Sequence, residues 1–291
     1  MSIYDVDGAS VAHIFKKDES SAKVAYDVNG SVVYTALPKN LRVCTYNVGG
    51  WYIGSGTNVP TSEDAAYYAL QNGMIAEIDA DILCLNEFWT IFSQSGRTAA
   101  SLLSQYYDHI QTADGNTQYA GRAICSKYPI TSYETHYFEN ETARYYDCAI
   151  IDVDGVPVPV FVTHLHPSNI DTRIAEASEM FDYIRAQNYD RFVVCGDFNS
   201  PLHDPFSEQN AAIYNQFLGV GCTLANDGAF GILNTACNGT DWQAEAFAID
   251  QIILSDAFTI DAVATNLEKT TDSIVAKIDH VPLYADVTLK R

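Results

Sequence analysis

Phe192-Val193-Val194-Cys195-Gly196-Asp197-Phe198-Asn199-Ser200 is the stretch on which the reading of this chain turns. Four apolar or small residues in succession predict a strand buried on both faces. Gly196 ends it, and Asp197 and Asn199 follow with Phe198 between them. On an extended backbone alternate side chains share a face, so the carboxylate and the amide are expected to project together. Polar groups at the end of a buried strand mark a site rather than a core.

The same grammar recurs outward from that stretch. Leu41-Arg42-Val43-Cys44-Thr45-Tyr46-Asn47-Val48 and Asp81-Ile82-Leu83-Cys84-Leu85-Asn86-Glu87 both read as buried strands with a polar end. Between them, Thr61-Ser62-Glu63-Asp64 predicts a helix start, and Tyr67, Leu70, Met74 and Ile78 give that helix an apolar stripe. A short helix is expected around Thr98 to Tyr107, then strands over 121–126, 130–138, 146–153 and 156–164. Asp154-Gly155 joins the last two as a hairpin. An amphipathic helix spans roughly 169–187, with Ile174, Ala177, Met180, Phe181 and Ile184 on one face. Residues 207–218 read as helix and 219–247 as a long loop. The runs from Ala248 to Leu254 and from Asp279 to Val287 are strands that begin with polar residues. This order of strands, hairpins and helices predicts an α+β fold, two mixed sheets packed face to face with helices outside.

Residues 1–39 differ from the remainder, residues 40–291. Tyr4-Asp5-Val6-Asp7-Gly8 is echoed by Tyr26-Asp27-Val28-Asn29-Gly30, and Asp-Gly and Asn-Gly are hairpin signals. The segment is expected to be either a docking or oligomerising appendage that could bind a protein partner, or an ordinary hairpin on the domain edge. The tandem pattern resembles short repeats on tail-associated proteins of phages and prophages.

Among 291 residues, 37 are acidic and 16 basic, a net charge of −21. That balance argues against a broad electrostatic grip on nucleic acid or anionic lipid. A polyanionic substrate would be held locally, through a bound divalent metal. Five of the seven cysteines lie in apolar strand-like runs and read as buried thiols, while Cys222 and Cys237 are candidates for pairing. Buried thiols, the absence of an apolar leader and the lack of a membrane-spanning run favour a cytoplasmic protein.

Polar residues recur at strand ends: Asn47, Glu87, His164, Asp197, Asn199, Asp250, Asp279 and His280. Singly each has a bland explanation, for example a turn, a cap or a hydrogen-bonded core histidine. Together they point to one cavity, oxygen-rich and imidazole-poor, that suits Mg²⁺ or Mn²⁺ better than zinc.

Here the chain resembles the endonuclease/exonuclease/phosphatase superfamily, with its deoxyribonuclease-I-like fold. The motifs that carry the resemblance are Thr45-Tyr46-Asn47-Val48, Leu85-Asn86-Glu87, Thr163-His164-Leu165, Gly196-Asp197-Phe198-Asn199, Ile249-Asp250-Gln251-Ile252 and Asp279-His280-Val281-Pro282-Leu283. Ile278 departs from the family, which often has serine there. The resemblance implies a four-layer α/β/β/α architecture and a Mg²⁺-dependent phosphoester hydrolase. It implies metal binding by Glu87, Asn47 and Asp279. It assigns His280 and Asp197 to the phosphate and the attacking water, Asp250 to orienting His280, and Asn199 and His164 to the non-bridging oxygens. A nuclease acting on DNA is the first expectation. A lipid phosphodiesterase of the sphingomyelinase kind and a sugar or inositol phosphatase are alternatives, and a non-enzymatic docking protein or virion component ranks lower.

Other residues are weighed beside these. His166 precedes a proline and is expected to be structural. Arg144 could grip phosphate or sit in a surface ion pair, and Arg122 and Tyr145 lie near the same strands. Trp51, Tyr52, Trp89 and Trp242 could stack on a substrate or cover sheet edges.

Overall fold

The computed structural model describes residues 24–26, 32–34, 38–49, 62–88, 103–112, 121–139, 144–201, 208–227, 232–237, 246–266 and 279–290. The four tryptophan and tyrosine candidates just named, the first N-terminal turn motif and the first half of the helix expected from Thr98 to Tyr107 lie outside them. The second turn motif falls between two short strands, β1 (Val24–Tyr26) and β2 (Val32–Tyr34), which pair antiparallel.

Two six-stranded sheets make the body. The first runs β11 (Thr223–Leu224), β14 (Asp250–Leu254), β10 (Val193–Asp197), β9 (Val156–His164), β8 (Tyr145–Val153) and β7 (Ile130–Tyr137). The second runs β15 (Phe258–Thr265), β16 (Leu283–Leu289), β3 (Lys39–Asn47), β4 (Ile82–Asn86), β6 (Arg122–Ser126) and β5 (His109–Thr112). Both are mixed. β9 and β10 are parallel in the first and β3 and β4 in the second, while the other neighbours are antiparallel. A second two-stranded pair, β12 (Ala236–Cys237) and β13 (Ala246–Phe247), interrupts the region expected to be loop.

Alternation along the strands explains the layering. Inward residues such as Val43, Ile82, Cys84 and Ile124 of the second sheet meet Ala149, Val160, Val162, Val193, Cys195 and Ile252 of the first. Outward residues of the first sheet, among them Phe161, Val194 and Ile253, are covered by helices α2 (Ile170–Ala186) and α3 (Glu208–Leu218) through Met180, Phe181, Ile184, Ile213 and Phe217. Cys44, Leu83, Leu85 and Cys125 of the second sheet are covered by α1 (Ser62–Ile78) through Met74, Ile75 and Ile78. Both sheets are therefore apolar on two faces, and burial of this kind is the main force holding the sandwich together. The four-layer α/β/β/α arrangement expected from the motifs is present. All seven cysteines are buried and free, Cys222 and Cys237 included.

α2 shows how local sequence sets an element. Asn169 caps it by accepting from the Thr172 N–H at 3.1 Å, with Asp171 in the first turn and Arg185 in the last. The Asp154-Gly155 hairpin has both residues at positive φ, 52° and 85°, as a two-residue turn of this hand requires. Among the described residues no helix is long and apolar enough to cross a membrane.

Candidate active site

β9, β10 and β14 end or begin together at one end of the first sheet. Register places Asp197 opposite His164 on one side and Asp250 on the other. β3 and β4 end beside them in the second sheet, with Asn47 opposite Asn86. Six of the eight polar strand-end residues thereby converge. Asn47, Asp197, Asp250, His164 and His280 are buried, and Glu87 is half-buried.

Gly196 permits the close approach on which the site depends. A Cβ there would lie 2.0 Å from the Thr163 carbonyl oxygen, so any side chain would push β9 and β10 apart. Asn86 ties the two sheets across this point. Its Nδ2 donates to the Thr163 carbonyl at 2.7 Å, and its Oδ1 accepts from the Asp197 N–H at 3.2 Å.

The polar groups form one chain. Asp250 Oδ2 accepts from His280 Nδ1 at 2.8 Å, which leaves Nε2 turned toward Asp197 Oδ2 at 3.6 Å. His164 Nε2 approaches the same oxygen at 3.6 Å. Asn47 Nδ2 donates to Asp197 Oδ2 at 3.0 Å and to Glu87 Oε1 at 3.2 Å, and its Oδ1 accepts from the Gly49 N–H at 3.0 Å. Thr235 Oγ1 accepts from the backbone N–H groups of Ile249 and Asp250 at 3.2 and 3.1 Å and so fixes the start of β14.

Electrostatics follow from this crowding. Burial, with Asp250 close by, lifts Asp197 to about 7, against the opposing pull of His280 and two hydrogen bonds. Burial presses His280 down, but the Asp250, Asp197 and Asp279 carboxylates overcome it and hold the imidazole at about 10. His164 is pushed well below its usual value, first by burial and then by Arg122, Arg144 and His280, so it is neutral. Burial raises Glu87 above the usual carboxylate range, with Asn47 acting the other way.

Two expected residues sit differently. Asn199 leaves the extended conformation, with φ at 50°, and its Nδ2 donates to the Leu165 carbonyl at 2.9 Å. The alternation that would align it with Asp197 is broken, because the strand ends at Asp197. Asp279 is exposed, and it precedes β16 instead of beginning it. The Asp279-His280 segment is held by the Cys237 N–H donating to the Asp279 carbonyl at 2.9 Å and by a bridge between Ala236 and His280. The β12 region, read in the sequence as loop, thus positions the histidine.

The flanking residues are resolved by their bonds. His166 Nδ1 accepts from the Ser168 and Asn169 N–H groups at 3.2 and 3.1 Å, a structural role as expected. Arg144 Nη1 donates to the carbonyls of His164 and Leu165, both at 2.9 Å. Arg173 Nη1 donates to those of His166 and Pro167, both at 3.1 Å. Arg122 lies 4.0 Å from the Tyr145 ring centre, with Nη2 3.4 Å from the His164 carbonyl. Asn86, Arg173 and Thr235 carried no role in the sequence reading. Only the position of Asn86 at the end of a buried run hinted at one.

The donor set fits a hard divalent cation. Asp197, Asp250 and His280 each offer a ligand atom, all within 4.8 Å of one another. Asp250 Oδ1 is buried without a hydrogen-bond partner. Glu87 projects into the same space from a left-handed backbone, φ 52°. Carboxylate oxygens grouped with an imidazole in this way can hold a divalent cation.

Such a site at the shared end of two packed mixed sheets defines a metal-assisted phosphoester hydrolase. The chain belongs to the endonuclease/exonuclease/phosphatase family, whose model matches residues 44–272. No curated protein matches the chain in sequence at a significant level. Several solved structures share the fold. A 3′-5′ exonuclease from Neisseria meningitidis is 17% identical, with a TM-score of 0.65 over 86% of this chain and 100% of that one. The human Nocturnin catalytic domain is 17% identical, with a TM-score of 0.63 over 87% and 98%. A family member from Bacteroides thetaiotaomicron is 15% identical, with a TM-score of 0.63 over 87% and 99%.

Proposed function

We propose that this protein is a Mg²⁺-dependent phosphodiesterase that cleaves DNA by in-line attack of water. The observation that carries the reading is the continuous chain Asp250–His280–Asp197–Asn47–Glu87 across the ends of both sheets. The exonuclease with the same fold favours nucleic acid over lipid or sugar phosphates.

Glu87, Asn47 and Asp279 would hold the ion. Within the Asp197, Asp250 and His280 cluster, Asp250 Oδ2 and His280 Nδ1 are already paired at 2.8 Å, which favours that cluster for proton handling over holding the ion. When bound, Mg²⁺ neutralises charge on the phosphoryl and leaving oxygens. The residues of this chain do the rest. Asp197, with a value near 7, accepts the proton of the attacking water. His280 is an imidazolium at neutral pH and donates from Nε2 to a phosphate oxygen while Asp250 fixes its ring. Neutral His164 donates to another oxygen as negative charge builds there. Asn199 holds Asp197 Oδ1 through its own N–H at 2.8 Å, which keeps the other oxygen turned to the water. Residues 1–39 would form a separate docking segment ahead of the catalytic domain at 40–291.

A substrate panel with and without chelator tests the reading: single-stranded and duplex DNA, RNA, sphingomyelin and inositol phosphates. DNA cleavage that stops with chelator and returns with Mg²⁺ is expected. Chelator-resistant cleavage would sink the metal assignment, and faster turnover of sphingomyelin or inositol phosphates would sink the substrate assignment.

A further inference from the structure

The net charge of −21 poses a problem for an enzyme acting on a polyanion. The three described arginines near the cleft do not relieve it by facing outward together. Arg122, Arg144 and Arg173 all donate to backbone carbonyls between His164 and Pro167. Affinity for a nucleic acid strand must then draw on something other than broad Coulomb attraction, and the base-stacking of single-strand binders is the obvious source.

Tyr137 is placed to supply it. Among the described residues, four large hydrophobic side chains are exposed, and Tyr137, at 49%, is the aromatic one. It ends β7, and register sets it opposite Tyr145 at the start of β8. Tyr146 in turn pairs with Thr163, next to His164. Tyr137 therefore lies on the same end of the first sheet as the catalytic groups, two strand spacings or about 10 Å from β9. Its side chain shares the face of Tyr145, which looks toward Arg122 of the second sheet. The ring is also backed. Its centre is 5.4 Å from that of buried Tyr145, whose own ring centre lies 4.0 Å from the Arg122 guanidinium. A ring packed against a buried neighbour loses less freedom than a free one when a ligand stacks on it.

We infer that Tyr137 is a stacking platform for an unpaired base of single-stranded nucleic acid whose neighbouring phosphate occupies the active site. This rests on the nuclease reading and narrows it, since a base must be free of its duplex partner to stack on a protein ring.

The test uses single-stranded oligonucleotides with one cleavable phosphodiester among phosphorothioate linkages. In a series, one nucleotide at a time on either side of that bond is replaced by an abasic sugar. Wild type, Tyr137→Ala and Tyr137→Phe are compared by kcat/KM in Mg²⁺. At one position the abasic sugar should cost wild type roughly 10- to 100-fold. Tyr137→Ala should lose a similar factor on the intact strand, mostly in KM, and be indifferent to the abasic sugar there. Tyr137→Phe should retain both the rate and the discrimination. If the penalties of ring loss and base loss multiply at every position, the platform is refuted while the nuclease reading stands. If wild type cleaves duplex DNA but none of these strands, the platform is likewise refuted; if it cleaves neither, the nuclease reading fails and this inference with it.

Discussion

The two sheets meet at the cleft but bring it different walls. The first supplies His164, Asp197 and Asp250, buried, bonded to one another's neighbourhood and placed by strand register. The second supplies Asn47 and Glu87, with Glu87 half-buried just past β4 and Asp279 exposed just before β16. On the first wall the carboxylates already have an imidazole and backbone N–H groups to face. On the second, Glu87 has one amide, at 3.2 Å. A wall with its charges internally matched suits proton and phosphate handling. A wall with unmatched carboxylates suits an incoming cation.

Substitutions on each wall can break that contrast. Asp197→Asn should lower kcat by roughly 10²- to 10⁴-fold, and added Mg²⁺ should not restore it. Glu87→Gln should show a comparable loss at low Mg²⁺ and partial recovery at high Mg²⁺. A titration of rate against metal distinguishes them, and recovery of Asp197→Asn by metal would merge the two walls into one ion site.

Gly196→Ala tests whether the first wall depends on the close approach of β9 and β10. A Cβ 2.0 Å from the Thr163 oxygen must displace backbone, which should cost about 3 kcal/mol in a denaturant titration. A loss below about 1 kcal/mol would show that the strands can separate freely.

Acidity gives a finer test, made with chelator present. Asp197 is held at about 7 in the folded protein against about 3.9 unfolded. The folded state thus keeps its proton longer, and stability is lost as pH rises from about 4 to about 7. Asp197→Asn removes that loss. Its melting temperature should exceed that of wild type at pH 8 and fall to or below it at pH 4. An advantage that is independent of pH would show that Asp197 carries no such strain.

The smallest effect is expected far from the cleft. Arg42 Nε meets Asp286 Oδ1 at 2.6 Å across β3 and β16, with both side chains over a third exposed. Asp286→Asn should cost less than about 1 kcal/mol and leave hydrolysis unchanged. A larger loss would give the outer end of the second sheet a weight comparable with the cleft end.

Much of this was legible in the chain. Val193–Cys195, Ile252–Leu254 and Ile82–Leu85 are apolar on both faces, so their strand character does not depend on which neighbour covers them. β5 and β15 escaped the reading. They are edge strands, mostly half-exposed, and His109-Ile110-Gln111-Thr112 carries no continuous apolar run. β12 escaped because it is two residues long, pairs with the equally short β13, and meets Asp279 and His280 only when they arrive from far along the chain.

The sequence by itself determined which residues could form a site, because burying both faces of a strand forces its polar residues to the ends. It could not determine how they meet. Asn199 was expected to align with Asp197 and instead turns to the Leu165 carbonyl. His280 reaches Asp197 from a segment that is not yet strand. Those outcomes depend on distances between strands that are remote in the chain. Only the packing of two sheets, closed at Gly196 and bracketed by Asn86, sets those distances.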